Sequence, residues 1–276
     1  ALLPNWWMWR VRTNGASTVY LLFKGGSAGS GPITAKLYQN GVLVGRGKAH
    51  LQLLDISSMY DHFTAGDTTA QGVIPASTAQ QIGFSQLTGL DDDYILFVHG
   101  WRMEPWERRR FAETAFKRLW WQGYRGRFGL FSWPTEYSPV PFPPGNFQRS
   151  ELQAWRSGEP LRKLLKSLNA GVHHDRVRVF AHSMGNVACG EAFRQLTQAG
   201  YTNEVHTYAA MQGALASHCY DFFAPVRTLS AADSGTRNLF AEYPTPYPSG
   251  QPYLNGVRGA RHFWNFLNRD DFALNM

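Results

Sequence analysis

Short runs of apolar and β-branched residues, separated by turn residues, mark the N-terminal part of the chain. The runs Thr18–Phe23 and Ile33–Tyr38 are typical of strands, and Asn40-Gly41, followed by a further apolar run, is a strong hairpin signal. Residues 64–93 are polar and rich in turn residues, so we interpret them as a linker or excursion. The pattern predicts a β-rich N-terminal region over residues 1–90.

From residue 91 onward, strand-like runs alternate with helical ones. Tyr94–Val98 is an apolar run typical of a buried strand, and Pro105 opens a helix that continues to Trp121 with apolar residues on one face. Further strands are predicted at Phe128–Phe131, Val177–Ala181, Val205–Met211 and His262–Leu267. This alternation predicts a mostly parallel sheet with helices on both faces, in an α/β domain over residues 91–276.

The chain passes from strand to helix within two residues at Ser183. The segment Ala181-His182-Ser183-Met184-Gly185 follows an apolar run, and Asn186–Leu196 places apolar residues at helical spacing. This is the small-x-Ser-x-Gly pattern of a nucleophile elbow, with alanine in place of the first glycine. The other interpretation is a Ser-Met-Gly turn without chemistry, but a strand before it and a helix after it favour the elbow.

Acyl transfer by serine needs a nucleophile, a base, an acid that orients the base, and an oxyanion hole. We predict that Ser183 is the nucleophile. In a strand–turn–helix arrangement, one oxyanion donor is the amide of the residue after the serine, here Met184. The other comes from a loop after an earlier strand, here Trp101, which follows His99-Gly100. His99-Gly100 could also be an ordinary turn at a strand end.

The acid should lie on a loop after a late strand, and Asp271 has that position. Asp270 beside it is an alternative. Asp233 is a rival, because His262 follows it and would keep the order Ser, Asp, His. Against this rival, the run before Asp233 is barely strand-like, and His262 would lie at the start of a strand, at the wrong end of the sheet.

Composition narrows the function classes. Of the 276 residues 43% are apolar, and the net charge of +7 comes mostly from arginine. The densest basic run, Arg108–Arg110, lies beside glutamates on a predicted helix, which we interpret as a solvated face. No zinc-ligand spacing and no basic strip interleaved with aromatic residues is present, so we expect neither a metal cluster nor a nucleic-acid partner. No apolar run is long enough to span a bilayer.

Cysteine and aromatic content add two expectations. Cys189 and Cys219 permit at most one disulfide, and Cys189, on the helix after the elbow, is expected to be a buried reduced thiol. Ten tryptophans and 18 phenylalanines indicate wide apolar surfaces, either in the core or facing a substrate.

Four segments resemble the motifs of a known family. They are Tyr94–Met103 (YILFVHGWRM), Phe128–Thr135 (FGLFSWPT), Val179–Asn186 (VFAHSMGN) and Asn265–Leu274 (NFLNRDDFAL). In order and in residue sequence they resemble the four motifs of a bacterial α/β-hydrolase family that was long described as a domain of unknown function. This family contains lipase- and esterase-like serine hydrolases. The resemblance implies the α/β-hydrolase fold. The aspartate of the family's polar-x-x-Asp-x-Ala-Leu signature is its triad acid, which falls on Asp271.

The family's base histidine comes after that aspartate, but no histidine lies among Phe272 to Met276. Because the chain also starts without methionine, we expect it to be a piece of a longer polypeptide, truncated at its C-terminus, with the base beyond the last residue. The fallbacks within the sequence are His218, or His262 with Asp233.

The resemblance and the residues together predict a serine hydrolase that cleaves carboxylic esters, of lipids or of other small hydrophobic molecules, through an acyl-enzyme on Ser183. No metal and no organic cofactor is implied. An amidase or a thioesterase is an alternative, since the same triad serves all three. A non-catalytic binding or surface module that kept the hydrolase scaffold is the alternative from another class. The N-terminal region resembles β-sandwich segments that precede such hydrolases in large secreted bacterial proteins, which implies a secreted or cell-surface location.

Overall fold

The computed structural model describes residues 26–66, 73–138, 145–214 and 259–268. The chain divides into two compact units, Ala1–Asp55 and Ile56–Met276. The predicted strand at Thr18–Phe23 lies outside the described residues.

A β-hairpin makes up the regular structure of the first unit in its described part. Its strands are β1 (Gly29–Gln39) and β2 (Val42–Leu53), which pair antiparallel. At the turn between them, Asn40 and Gly41 have φ angles of 49° and 79°. A two-residue hairpin turn of this kind requires positive φ at both positions, and Asn-Gly accepts it readily. The predicted hairpin is confirmed.

In its described part, the second unit has a seven-stranded sheet in the order β4-β3-β6-β5-β7-β8-β9, parallel throughout except between β3 and β4. The strands are β3 (Asp61–Thr64), β4 (Gln80–Gly83), β5 (Asp91–Val98), β6 (Gly126–Ser132), β7 (Val177–His182), β8 (Val205–Met211) and β9 (Ala260–Phe266). The helices are α1 (Pro105–Trp121), α2 (Asn146–Arg156), α3 (Gly158–Asn169) and α4 (Gly185–Gln198). None of the described helices is long and apolar enough to cross a membrane. The predicted mostly parallel α/β sheet is confirmed.

Helices cover both faces of this sheet. Leu96 of β5 belongs to a buried cluster with Leu165 of α3 and other residues of α2 to α4, whereas its neighbour Ile95 packs in a second cluster with Ala112 and Phe116 of α1. Successive side chains of a strand point to opposite faces. Because both faces of β5 are buried, this strand is a continuous apolar run in the sequence and does not alternate with polar residues.

The main sheet extends further towards the N-terminus than the sequence indicated. We predicted a β-rich region up to residue 90, but the first compact unit ends at Asp55, and both β3 and β4 pair within the main sheet. Strand β3 contains Asp61, which is buried, accepts a hydrogen bond from the Tyr94 hydroxyl (2.9 Å) and pairs with Arg127 (3.1 Å). A buried strand of four residues that begins with Asp61 and His62 gives no apolar run, so the sequence pattern did not show it.

One residue of the basic run on α1 is buried, which corrects the predicted solvated face. Arg109 and Arg110 are exposed, but Arg108 is fully buried and its Nε donates to the carbonyl oxygen of Met103 (2.9 Å). Arg108 stands four and eight residues before the buried Ala112 and Phe116. Residues at this spacing share one helix face, so Arg108 lies on the face of α1 that is turned towards the sheet.

Cys189 lies on α4 and is fully buried in the core, as predicted. It is a free thiol among the described residues, and burial raises the pKa of this thiol. Cys219 lies outside the described residues.

Candidate active site

Three strained residues lie at one edge of the sheet. Strands β5, β7 and β8 are parallel, so their carboxyl ends meet at the same edge. Each is followed by a residue with left-handed φ, namely Arg102 (58°), Ser183 (51°) and Gln212 (48°). None of these residue types favours that conformation, which costs about 1–3 kcal/mol at each position. Such strain persists only where the surroundings enforce it, and it marks this edge as the candidate site.

Ser183 occupies a very short turn between strand and helix. Strand β7 ends at His182 and α4 begins at Gly185. The Ser183 amide donates to the carbonyl oxygen of Met211 at the end of β8 (2.9 Å), and the Ser183 carbonyl accepts from the Asn186 amide in the first turn of α4 (3.1 Å). The backbone on both sides of the serine is thus fixed, and the turn has the geometry of a nucleophile elbow.

Close packing explains the glycines of the two motifs. A Cβ atom at Gly185 would lie 2.4 Å from the carbonyl oxygen of His99, and a Cβ atom at Gly100 would lie 3.0 Å from the Cβ of Ser183 and 2.9 Å from the His182 Nδ1. Because the His99 carbonyl is backbone and cannot move aside, only glycine fits at position 185, and a side chain at position 100 would press on the serine turn. The loop after β5 therefore lies directly against the serine turn.

Asn186 holds the elbow together, and the sequence did not reveal this role. Its fully buried side chain donates to the carbonyl oxygens of Ala181 in β7 (3.1 Å) and of Ser183 in the turn itself (2.9 Å). Its Oδ1 accepts from the Tyr208 hydroxyl (2.6 Å). The available signal was an asparagine among apolar residues in the first turn of a buried helix, because such a side chain must find partners.

His99 is a buried, neutral support for the loop that follows it. Its ring stacks on Trp133 with 5.1 Å between ring centroids, and its Nε2 accepts the backbone N–H of Trp133 (3.1 Å). Nδ1 must then carry the ring proton, which it donates to the carbonyl oxygen of Gly100 (2.8 Å). Burial, and next the positive charge of Arg108, hold the pKa of His99 well below its ordinary value.

The same contact sets the direction of the Trp101 amide. In a trans peptide unit the C=O and N–H bonds point in opposite directions, so the Gly100 carbonyl that faces His99 turns the Trp101 N–H away from that ring. On the other side of the serine, Met184 is the N-cap of α4. Its amide belongs to the helix N-terminus, where N–H groups lack helical acceptors and attract negative charge. Ser183, Trp101 and Met184 are therefore brought together at one edge.

The sequence model of a family described as "Alpha/beta hydrolase of unknown function (DUF900)" matches residues 76–220, more than half of the chain. The chain belongs to this α/β-hydrolase family. No curated protein matches it. The matched part of this hydrolase runs from β4 through β8, includes Trp101, Ser183 and Met184, and ends before Asp271.

Of the other residues predicted for the site of this hydrolase, the structure describes only His262. Asp271, Asp270, Asp233 and His218 lie outside the described residues. His262 pairs with Thr207, four residues before the Met211 that contacts the elbow. At about 3.3 Å per residue this is about 13 Å along the strand, so His262 lies towards the amino edge, as expected from its place in β9. Within the described part of the chain, no histidine ring bonds to the Ser183 hydroxyl.

Proposed function

We propose that this α/β-hydrolase cleaves carboxylic esters through an acyl-enzyme on Ser183. The observation that carries the proposal is the strained serine, held at φ 51° in a short strand-to-helix turn with the Gly100 loop packed against it. A serine in an ordinary turn would not need this conformation. The strain is explained if the hydroxyl must project from the sheet edge towards a substrate.

The chemistry assigns a role to each member of the site. Ser183 Oγ attacks the ester carbonyl carbon while a histidine base takes its proton, and the carbonyl oxygen becomes an oxyanion that accepts from the amides of Met184 and Trp101. The base then passes the proton to the leaving alcohol. Water, activated by the same base, attacks the acyl-enzyme and releases the acid.

We assign Asp271 as the acid that orients the base, because it follows β9 and matches the family's acidic signature. His99 does not qualify as the base, since its ring is fully buried and both ring nitrogens already have partners. His218, which follows β8 in the sequence, is the candidate base within this chain.

Aromatic side chains beside the serine support a hydrophobic substrate. The Trp101 ring packs edge-to-face on Phe147, with centroids 5.1 Å apart, and Phe147 is 39% exposed. On α1, the exposed Phe111 packs against the His182 ring next to the nucleophile (5.3 Å). Exposed aromatic surface of this kind favours an apolar acyl or alcohol group over a charged one.

Hydrolysis of p-nitrophenyl esters of graded chain length tests the proposal. Ser183→Ala should reduce kcat by about 10³-fold or more, because no other group provides the acyl-enzyme, while the melting temperature stays close to that of the wild type. Ser85→Ala, which removes a hydroxyl that donates to the Met59 carbonyl (3.0 Å), is the control serine and should leave kcat unchanged. Full activity in Ser183→Ala would refute the assignment.

A matched pair of aspartate variants tests the acid. Asp271→Asn should lower kcat by about 10²–10⁴-fold, because the imidazole loses the group that fixes its tautomer, whereas Asp270→Asn should retain most of the activity. The opposite result would move the role to Asp270. If the wild-type chain neither hydrolyses any ester nor reacts with a fluorophosphonate, the non-catalytic module is the better account.

A further inference from the structure

A chain of polar side chains runs from the oxyanion loop into the start of α2. The indole Nε1 of Trp101 donates to the Oδ1 of Asn146 (3.0 Å), and the Nδ2 of Asn146 donates to the Oε2 of Glu136 (3.2 Å). The guanidinium of Arg149 closes the chain, because its Nε donates to both Glu136 oxygens at 2.9 Å and a second nitrogen lies 2.8 Å from Oε2. The Glu136 amide in turn donates to the Ser150 hydroxyl (3.1 Å).

The chemistry of the partners fixes the orientation of Asn146. A carboxylate only accepts hydrogen bonds and an indole N–H only donates. Asn146 must therefore turn its amide nitrogen to Glu136 and its oxygen to Trp101, and the flipped amide would lose both bonds. Asn146 is 3% exposed and Glu136 is 4% exposed, so neither side chain can replace its partner freely with water. Arg149 supplies the charge that allows the Glu136 carboxylate to be buried.

We propose that Asn146, Glu136 and Arg149 are positioning residues, which fix the oxyanion donor through the Trp101 indole. The inference rests on the proposed function. In it, none of these three side chains contacts a reacting atom directly. Trp101 provides the backbone amide of the oxyanion hole. Its indole is also the group that the row of polar side chains holds, through the hydrogen bond to Asn146. Anchoring the indole therefore restricts the rotation of the residue whose N–H must meet the oxyanion.

Two further contacts explain why the loop needs this anchor. The residue after Trp101 is Arg102, which is held at φ 58°, and its amide donates to the Thr135 hydroxyl (3.1 Å). On the preceding side, the Gly100 carbonyl accepts from His99 (2.8 Å). The Trp101 amide is thus fixed from both flanks and from its side chain, in a segment whose strained backbone would otherwise relax. A misplacement of about 1 Å at such a donor can cost about 10²-fold in rate.

The rate of reaction of Ser183 with a fluorophosphonate, resolved into kinact and KI, measures this effect on the full chain. Asn146→Ala and Trp101→Phe each remove one side of the indole contact, and each should lower kinact about tenfold. In Asn146→Ala, which leaves the Trp101 ring in place, KI should stay within about twofold. The double variant should be no slower than either single one, because both break the same bond. Asn146→Asp combined with Glu136→Gln restores an acceptor for the indole and a donor–acceptor link behind it, and should recover kinact to within about threefold of the wild type.

Asn169→Ala is the matched control. Asn169 is also a buried asparagine that donates to a glutamate, Glu204 (3.0 Å), but it lies at the end of α3, near the start of β7, at the opposite edge of the sheet. Its loss should lower the melting temperature without changing kinact. If Asn146→Ala behaves in the same way, or if the effects of Asn146→Ala and Trp101→Phe multiply, the positioning chain is refuted. If Asn146→Ala does not fold, Trp101→Phe, which leaves the Asn146–Glu136–Arg149 contacts in place, decides the question through kinact.

Failure of the wild-type chain to label at Ser183 would be a different result. It would overturn the proposed function, and the inference with it. A labelled wild type with an unchanged kinact in the variants would overturn the positioning chain alone.

Discussion

The two edges of the main sheet use left-handed backbone in different ways. At the amino edge the non-glycine residues with positive φ before β7 and β8 are Asp175 and Asn203, each at 59°. Asp and Asn are the non-glycine residues that accept this conformation most easily. At the carboxyl edge the corresponding residues are Arg102, Ser183 and Gln212. One edge therefore uses residue types that are common in turns, whereas the other holds three residues that do not favour this conformation.

The contacts that hold the two edges differ in the same sense. The strained amides of Ser183 and Gln212 each donate to a carbonyl at the end of the neighbouring strand, at 2.9 Å, on Met211 and Phe266 respectively. At the amino edge, the Asp175 amide donates instead to a side chain, the Oδ1 of Asn169 (3.0 Å), and the Asp175 carboxylate pairs with the partly exposed Arg261 (3.3 Å). Exposed ion pairs contribute little, typically below about 1 kcal/mol. Among the described residues, backbone hydrogen bonds at the carboxyl edge thus hold Ser183 and Gln212 in a conformation that their residue types do not favour.

A matched pair of glycine substitutions should show the largest difference in stability between the two edges. Gly185→Ala would place a Cβ atom 2.4 Å from the His99 carbonyl oxygen, whereas the space around Gly171, before β7, is open within 4 Å. We expect Gly185→Ala to lower the free energy of unfolding by about 2–4 kcal/mol, because neither backbone can move aside. Gly171→Ala should be neutral or slightly stabilising. Urea denaturation measures both, and equal effects would contradict the close packing of the elbow.

Two buried asparagines provide the next comparison, since each bonds to the backbone of a left-handed residue. Asn186 donates to the Ser183 carbonyl, and Asn169 accepts the Asp175 amide (3.0 Å). Asn186→Ala should cost about 2–3 kcal/mol, because it also leaves the Ala181 carbonyl and the Tyr208 hydroxyl without this partner.

Asn169→Ala should cost about 1 kcal/mol, because Asp175 tolerates its conformation. Thermal unfolding and ester hydrolysis should be measured on both variants. Loss of hydrolysis is expected only for Asn186→Ala, in which the elbow is free to relax. Equal loss of activity in the two proteins would argue against a special role for the carboxyl edge.

His99, at the carboxyl edge, should make a smaller contribution that appears in the pH dependence of the free energy of unfolding. Burial holds the pKa of His99 well below 6.5, so below pH 6.5 the unfolded chain binds a proton that the folded chain does not. The free energy of unfolding should therefore fall as the pH is lowered from 6.5 towards the folded pKa, by at most about 1.4 kcal/mol per pH unit. Above pH 6.5 this contribution is constant.

Urea titrations at several pH values, on the wild type and on His99→Gln, isolate this contribution. Below pH 6.5 the variant should show the shallower dependence, since its side chain does not titrate, although it is less stable overall. Parallel curves for the two proteins would mean that His99 binds its proton equally in the folded and unfolded chains.

Features with a local signal could be predicted from the sequence. The hairpin at Asn40-Gly41 depends on two adjacent residues, and the strand–serine–helix turn at Ser183 on about ten. The apolar run of β5 follows directly from its burial on both faces. In each case the residues that decide the structure are neighbours in the chain, so the pattern is complete without knowledge of the fold.

Features that depend on distant partners could not be predicted. Strand β3 carries Asp61, which is tolerated because its partners come from β5 and β6. Trp101 and Asn146 are 45 residues apart, and His99 and Trp133 are 34 apart. The sequence showed each residue type but not its partner. The sequence could thus locate the loop after β5 through its His-Gly, whereas it could not show the side chains that hold this loop.

The most direct test is the site of covalent modification. Intact chain is treated with an alkyl fluorophosphonate, digested, and its peptides are analysed by mass spectrometry, with Ser183→Ala treated in parallel. The serine at the strained elbow should carry the phosphonyl group in the wild type, and the corresponding peptide of the variant should be unmodified. Modification of a different residue, or equal labelling of Ser183→Ala, would contradict the proposal that the carboxyl edge is built around a nucleophilic Ser183.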